Sequence, residues 1–162
     1  MAFDSKLQRQ IMGTFATGVT VVSTRIGDET WGMTANAVTS LSLDPPLVLV
    51  AVDKKSQSHN NFSEGGCFAM NILSAEQEEI SNRFAFTGPK DFSNLPFKTA
   101  VTGAPILPDT LGYVDCQLKE ILPGGDHDIF IGEIVAGELG EGAPLLYFGG
   151  GYAGLASEDD GD

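Results

Sequence analysis

The sequence has no long apolar stretch: no run reaches the about 18 residues that a bilayer-crossing helix needs. Its first residues, Met1-Ala2-Phe3-Asp4-Ser5-Lys6, lack a basic region followed by an apolar one, so they do not read as a secretory signal, and the expected compartment is the cytoplasm. Cysteine is scarce. Cys67 and Cys116 stand far apart and outside any C-x-x-C pair, which excludes a disulfide framework and favours buried thiols. With His59 and His127 they match no zinc spacing, so no metal is expected. Positive charge is scarcer still. The chain carries nine Lys and Arg against 22 Asp and Glu, a net charge of −13. After Lys119 there is no Lys or Arg, while ten acidic residues follow. Such a chain repels phosphate backbones, which argues against nucleic acid as a partner. Any anion site must draw on those nine cations or on backbone N–H groups.

What is present fits one globular domain. The 162 residues are 42% hydrophobic and include 20 Gly and 8 Pro, a composition of many turns and short strands. Residues 1–155 are expected to form that domain and 156–162 an acidic, disordered tail. Asp4 or Ser5 caps a first helix whose Leu7, Ile11, Met12 and Phe15 share a face. Strands are expected at 19–24 and 30–40, a loop over 41–46, and at 47–52 a strand buried on both faces. A short helix capped by Ser56 or Ser58, a strand at 67–73 and a helix begun by a capping box of Ser74 and Gln77 come next. Residues 85–110 hold no pattern of their own and read as a lid or edge segment. Strands at 111–122, with Asp115, Gln117 and Lys119 facing out, at 128–135 and at 145–148 complete the chain. About seven strands and few helices predict a mainly β fold, a closed or nearly closed barrel.

Gly149-Gly150-Gly151-Tyr152-Ala153-Gly154 satisfies G-x-G-x-x-G, but the eight residues after it leave no room for the helix and acidic residue of a dinucleotide-binding βαβ unit. No G-x-S-x-G elbow is present, and Cys67 lies in an apolar strand that does not activate a thiol. Two other segments carry chemistry. From Gly32 through Thr34, Ala35, Asn36, Ala37 and Ser40 the side chains are small. That leaves either a strand packed on a neighbouring sheet or a platform on which a flat ligand meets the backbone. Lys54, Lys55, Ser56, Gln57 and Ser58 form either a solvated turn or a phosphate cradle at a helix N-terminus.

Together with Phe15-Ala16-Thr17-Gly18-Val19, Gly125-Asp126-His127-Asp128-Ile129-Phe130 and Pro144-Leu145-Leu146-Tyr147-Phe148, these segments resemble the flavin reductase-like, FMN-binding split-barrel family. Within it they are similar to the reductase components of two-component flavin-dependent monooxygenases. The resemblance implies a split β-barrel with a few short helices and an NAD(P)H:flavin oxidoreductase. FMN or FAD would be the flavin and NADH (or NADPH) the co-substrate, with a homodimer and an oxygenase partner. It implies that Thr34, Ala35, Asn36 and Ala37, with Ser40, run along the isoalloxazine and ribityl chain. Ala51, Val52 and Asp53, then Lys54 to Ser58, would hold the ribityl and phosphate, and Arg83 and Lys90 would approach the phosphate end. His127 would position the nicotinamide, in a pocket shared with Tyr147 and Tyr152. The chain departs from the family in having Gly149 and Gly151 where arginines are common. The alternative is a flavin-binding split-barrel protein without NAD(P)H turnover.

Overall fold

A computed structural model describes residues 2–86 and 90–157. Residues 87–89 of the expected 85–110 lid or edge segment and most of the expected acidic tail lie outside the described residues. The order is α1 (Ser5–Met12), β1 (Thr17–Gly18), β2 (Thr20–Ile26), β3 (Glu29–Ala35), β4 (Val38–Leu43), β5 (Pro46–Asp53), α2 (Gln57–Gly65) and β6 (Cys67–Ile72), continuing with α3 (Glu78–Ala85), β7 (Gly112–Gly124), β8 (His127–Leu139), β9 (Leu146–Phe148) and β10 (Gly151–Ala153). None of these helices is long and apolar enough to cross a membrane.

Seven strands form one antiparallel sheet in the order β3-β2-β6-β7-β8-β5-β4. Its two edge strands, β3 and β4, are consecutive in the chain and joined only by Asn36 and Ala37. The sheet therefore curls until its edges nearly meet without pairing, and the barrel is split there. Ala51 N donates to Ala37 O at 2.9 Å, holding the link against β5. The strands β1, β9 and β10 make a second, three-stranded sheet.

Inside the curl, Val22, Val50, Val52, Phe62, Phe68 and Phe130 pack into one core. Val21, Leu73, Phe84, Phe92 and Leu107 form another beneath α3 and the long connection after it. Burying a side chain of this size stabilises the fold by about 1.5–3 kcal/mol. Helix α2 starts where Ser56 Oγ accepts from Ser58 N at 3.1 Å and stops at Gly66, whose φ of 66° suits glycine.

Several expectations are corrected. Residues 30–40 are not one strand, because the small residues at 36–37 pass from one sheet edge to the other. The expected loop over 41–46 shrinks to Asp44 and Pro45: Pro46 opens β5, a position where a missing N–H is tolerated. β5 alternates, burying Val48, Val50 and Val52 while Leu47, Leu49 and Ala51 on its other face remain partly exposed. Gln77 Oε1 does accept from Ser74 N at 3.0 Å, but this bond closes a turn, and α3 begins one residue later without a side-chain cap. Asp115 does not face solvent. It is fully buried, accepting from Val101 N, Thr102 N and Thr102 Oγ1, and so pins the 85–110 connection onto the sheet. The glycines after β9 form a hairpin with β10 and not a nucleotide-binding turn.

Candidate functional site

The split in the barrel opens into a cavity of about 410 Å³, within the range of small-molecule sites. Thr34, Ala35 and Asn36 form one wall, Tyr147 and Tyr152 another. Small side chains are what let this wall approach a flat ligand. The third wall is α3, which the sequence reading missed: Ser81 and Asn82 face the cavity. Thr34 Oγ1 donates to Ser81 O at 2.6 Å, tying α3 to β3. The Tyr152 hydroxyl lies 2.6 Å from Ser81 Oγ and donates to Asn82 Oδ1 at 3.0 Å. The Tyr147 and Tyr152 rings meet edge to face with centroids 5.7 Å apart. Asn36 Nδ2 donates to Thr17 Oγ1 at 3.2 Å, linking the split to β1. The available signal for α3 was a polar pair, Ser81 and Asn82, set between the inward-facing Ile80 and Phe84.

From Ala37 the ridge continues through Ala51 to Asp53 and the N-terminus of α2. Asp53 Oδ1 accepts from Lys55 N at 2.8 Å, folding the turn that sets Ser56 at the cap. Lys54 N donates to Asp126 O at 3.0 Å, and Lys54 Nζ lies 3.8 Å from Asp128 Oδ1. Asp128 Oδ2 is also 2.7 Å from His59 Nε2. Lys54, Lys55, Ser56 and Gln57 thus stand together at a capped helix start, with Gln57 Nε2 donating to Asn61 Oδ1. Ser58 does not join them: it is fully buried, and its hydroxyl accepts from Trp31 Nε1 at 2.9 Å. The Val52 side chain is likewise in the core, leaving only its backbone at the ridge. Ser40 is exposed on β4, just before a register slip.

The expected gathering of four cations is corrected. Arg83 Nη2 donates to Asp91 O at 2.9 Å and Ser93 O at 2.7 Å, so its guanidinium holds the chain beyond α3. Lys90 lines a different cleft with Asp28, Glu29 and Asp91, and burial lowers the pKa of its ammonium group. The shared pocket expected for His127, Tyr147 and Tyr152 is also corrected. β8 runs antiparallel to β5 and begins with His127 opposite Asp53, at the Lys54–Ser56 end, whereas the two tyrosines sit beside β1. His127 Nδ1 is 2.8 Å from Asp126 Oδ1, and this hydrogen bond, with the histidine's charge, holds the Asp126 carboxyl below its ordinary pKa.

A platform of small residues, an aromatic wall and a separate cation-bearing helix start can accept a flat ring with an anionic arm. Comparison with known proteins gives the family. The model described as "Flavin reductase like domain" matches residues 12–156. The chain is 41% identical over 145 residues to the 4-hydroxyphenylacetate 3-monooxygenase, reductase component, of Thermus thermophilus, covering 89% of this chain and 92% of that relative. It is 39% identical over 151 residues to the probable flavin reductase of Rhizobium meliloti, covering 93% of this chain and 49% of that protein, about half its length. Among solved structures, the NADH:FAD oxidoreductase SgcE6 of Streptomyces globisporus C-1027 in complex with NAD and FAD fragments superposes with a TM-score of 0.88 at 34% identity, covering 98% of each chain. Family match, fold and relatives agree: the chain belongs to the flavin reductase-like family.

Proposed function

We propose that the protein is an NAD(P)H-dependent flavin reductase that supplies reduced flavin to a partner monooxygenase. The observation that carries this reading is the continuous ridge from the Thr34–Asn36 wall through Ala51 to the Ser56 cap, flat and neutral at one end and cationic at the other. FMN or FAD fits it. The backbone of residues 34–37 would read the ring edges, and Lys54, Lys55 and the α2 N-terminus would hold the phosphate. When bound, flavin accepts a hydride from reduced nicotinamide, chemistry that belongs to the two cofactors. The chain's part is to stack the rings and keep water out, so no nucleophile is required. Tyr152, fixed by Ser81 and Asn82, is placed to bound the nicotinamide side. His127, beside Asp53 at the cradle, is proposed to bear on the nicotinamide only through a second copy of the chain.

The same proposal includes a homodimer. Helix α1 buries none of its residues: Ile11 is 50% exposed, Met12 58% and, just beyond it, Phe15 69%. An apolar stripe this open is matched by Phe148 on β9 and fits a self-complementary interface. Sedimentation that finds only monomer at micromolar concentration overturns the dimer.

The test of the function is direct. Flavin fluorescence quenching should report FMN or FAD binding, and NADH should then be consumed in proportion to added flavin. Absence of flavin binding overturns the reading; binding without NADH consumption leaves a flavin-binding protein that is not a reductase.

A further inference from the structure

Helix α1 is amphipathic in an inverted sense. Lys6, Arg9, Gln10 and Gly13 share one face by their spacing, and this polar face turns toward the protein. There it meets Gly149 and Gly150 across a cleft of about 380 Å³. Gly149 N donates to Gly13 O at 2.8 Å, fixing the β9–β10 turn against the end of the helix. No carboxylate lines this cleft among the described residues. That is unexpected in a chain with 22 acidic residues and nine basic ones. Lys6 and Arg9 form no ion pair among the described residues. Asp4, their neighbour in sequence, is turned to its capping role, its Oδ1 accepting from Lys6 N at 2.9 Å.

The cleft adjoins the main cavity, because Gly150 lines both. Contacts order the whole path. Lys6 and Arg9 face Gly149 and Gly150, the hairpin carries Tyr147 to Thr17, Thr17 bonds Asn36, and Ala37 leads through Ala51 to Asp53 and Ser56. The path has a cationic group at each end and the aromatic cavity between them. A flavin phosphate at the Ser56 end leaves the Lys6 end for a second anion.

Resting on the reductase reading above, we propose that Lys6 and Arg9 bind the diphosphate–adenylate arm of NADH while its nicotinamide enters the adjoining cavity. Arg9 supplies the planar, forked donors that suit phosphate oxygens, and Lys6 a second charge. The glycine turn supplies room: nothing stands within 4 Å of where a Cβ would sit at Gly149, Gly150 or Gly151. Two cations donated from α1 thus do their work beside a turn that has no charge of its own.

The test compares the native protein with Lys6→Gln/Arg9→Gln, whose folding is checked by circular dichroism. Calorimetric titration with NAD+ should show about tenfold weaker binding in the double variant, and KM for NADH should rise by a similar factor. FMN and FAD affinities should both stay within about twofold, since their phosphates lie at the other end. In the native protein KM for NADH should climb with salt, and the double variant should lose most of that slope. Adding Gly151→Arg to the double variant should recover NAD+ affinity. Unchanged NAD+ affinity, a salt-independent native KM, or a loss confined to FAD overturns the proposal. A native protein that neither binds NAD+ nor oxidises NADH overturns the reductase reading instead.

Discussion

The two ends of the site are built in opposite ways. At the platform end, Gly32 is packed so closely that an added Cβ would stand 2.8 Å from the Phe84 ring, and Ser58 is locked by the Trp31 indole. The α2 cap, the Asp53 turn and the Asp126 carbonyl then fix the cradle before any ligand arrives. At the hairpin end, a Cβ added at any of three consecutive glycines would meet nothing within 4 Å, and Gly149 and Gly150 hold φ of 61° and 82°. Preorganisation removes ordering costs from binding, so the first end suits the flavin phosphate. An open, neutral turn with charge supplied from a neighbouring helix suits a ligand that must come and go each turnover.

Ser56→Asp should break the rigid end most. Aspartate caps a helix as well as serine does, so α2 survives while a negative charge meets the flavin phosphate. FMN affinity by fluorescence quenching should fall about thirtyfold, roughly 2 kcal/mol. Gly32→Ala should cost about 1–3 kcal/mol in urea unfolding, because Phe84 and Phe92 leave the methyl no space. Its counterpart Gly151→Ala should change stability by less than about 0.5 kcal/mol. Equal losses at the two glycines would erase the contrast between the ends. Tyr152→Phe removes the hydroxyl that bridges Ser81 and Asn82, so it should cost about 1 kcal/mol of stability and raise KM for NADH a few-fold. Smallest is Asp128→Asn, which removes a carboxylate 3.8 Å from the Lys54 ammonium; flavin affinity should rise about two- to threefold, an effect that salt diminishes.

Much of the rigid end was legible in the sequence because it rests on local chemistry. The Ser56 cap of α2 and the run of small residues after Gly32 are each visible within a few positions, as is the Asp4 cap of α1 at the other end. The split itself was not legible, because Asn36 and Ala37 look like strand interior until the sheet order separates β3 from β4. Asp115 alternated correctly with its neighbours, yet its carboxylate is met by Val101 and Thr102, a contact no local pattern announces. Tertiary spending also hid the fate of the cations. Arg83 is taken by the carbonyls of Asp91 and Ser93, while Lys6 and Arg9, unremarkable on an exposed helix, face a cleft that no carboxylate lines among the described residues. His127 was read beside the tyrosines from the resemblance, whereas the antiparallel register of β5 and β8 sets it opposite Asp53.

The central claim, that the ridge ending at Ser56 holds flavin for reduction by nicotinamide, meets its most direct test in anaerobic mixing of the FMN-loaded protein with NADH. The visible flavin band should bleach on mixing, and in Ser56→Asp the same bleaching should require a higher FMN concentration. A bound flavin that stays oxidised in excess NADH, or a Ser56→Asp protein with the native FMN requirement, would contradict the account.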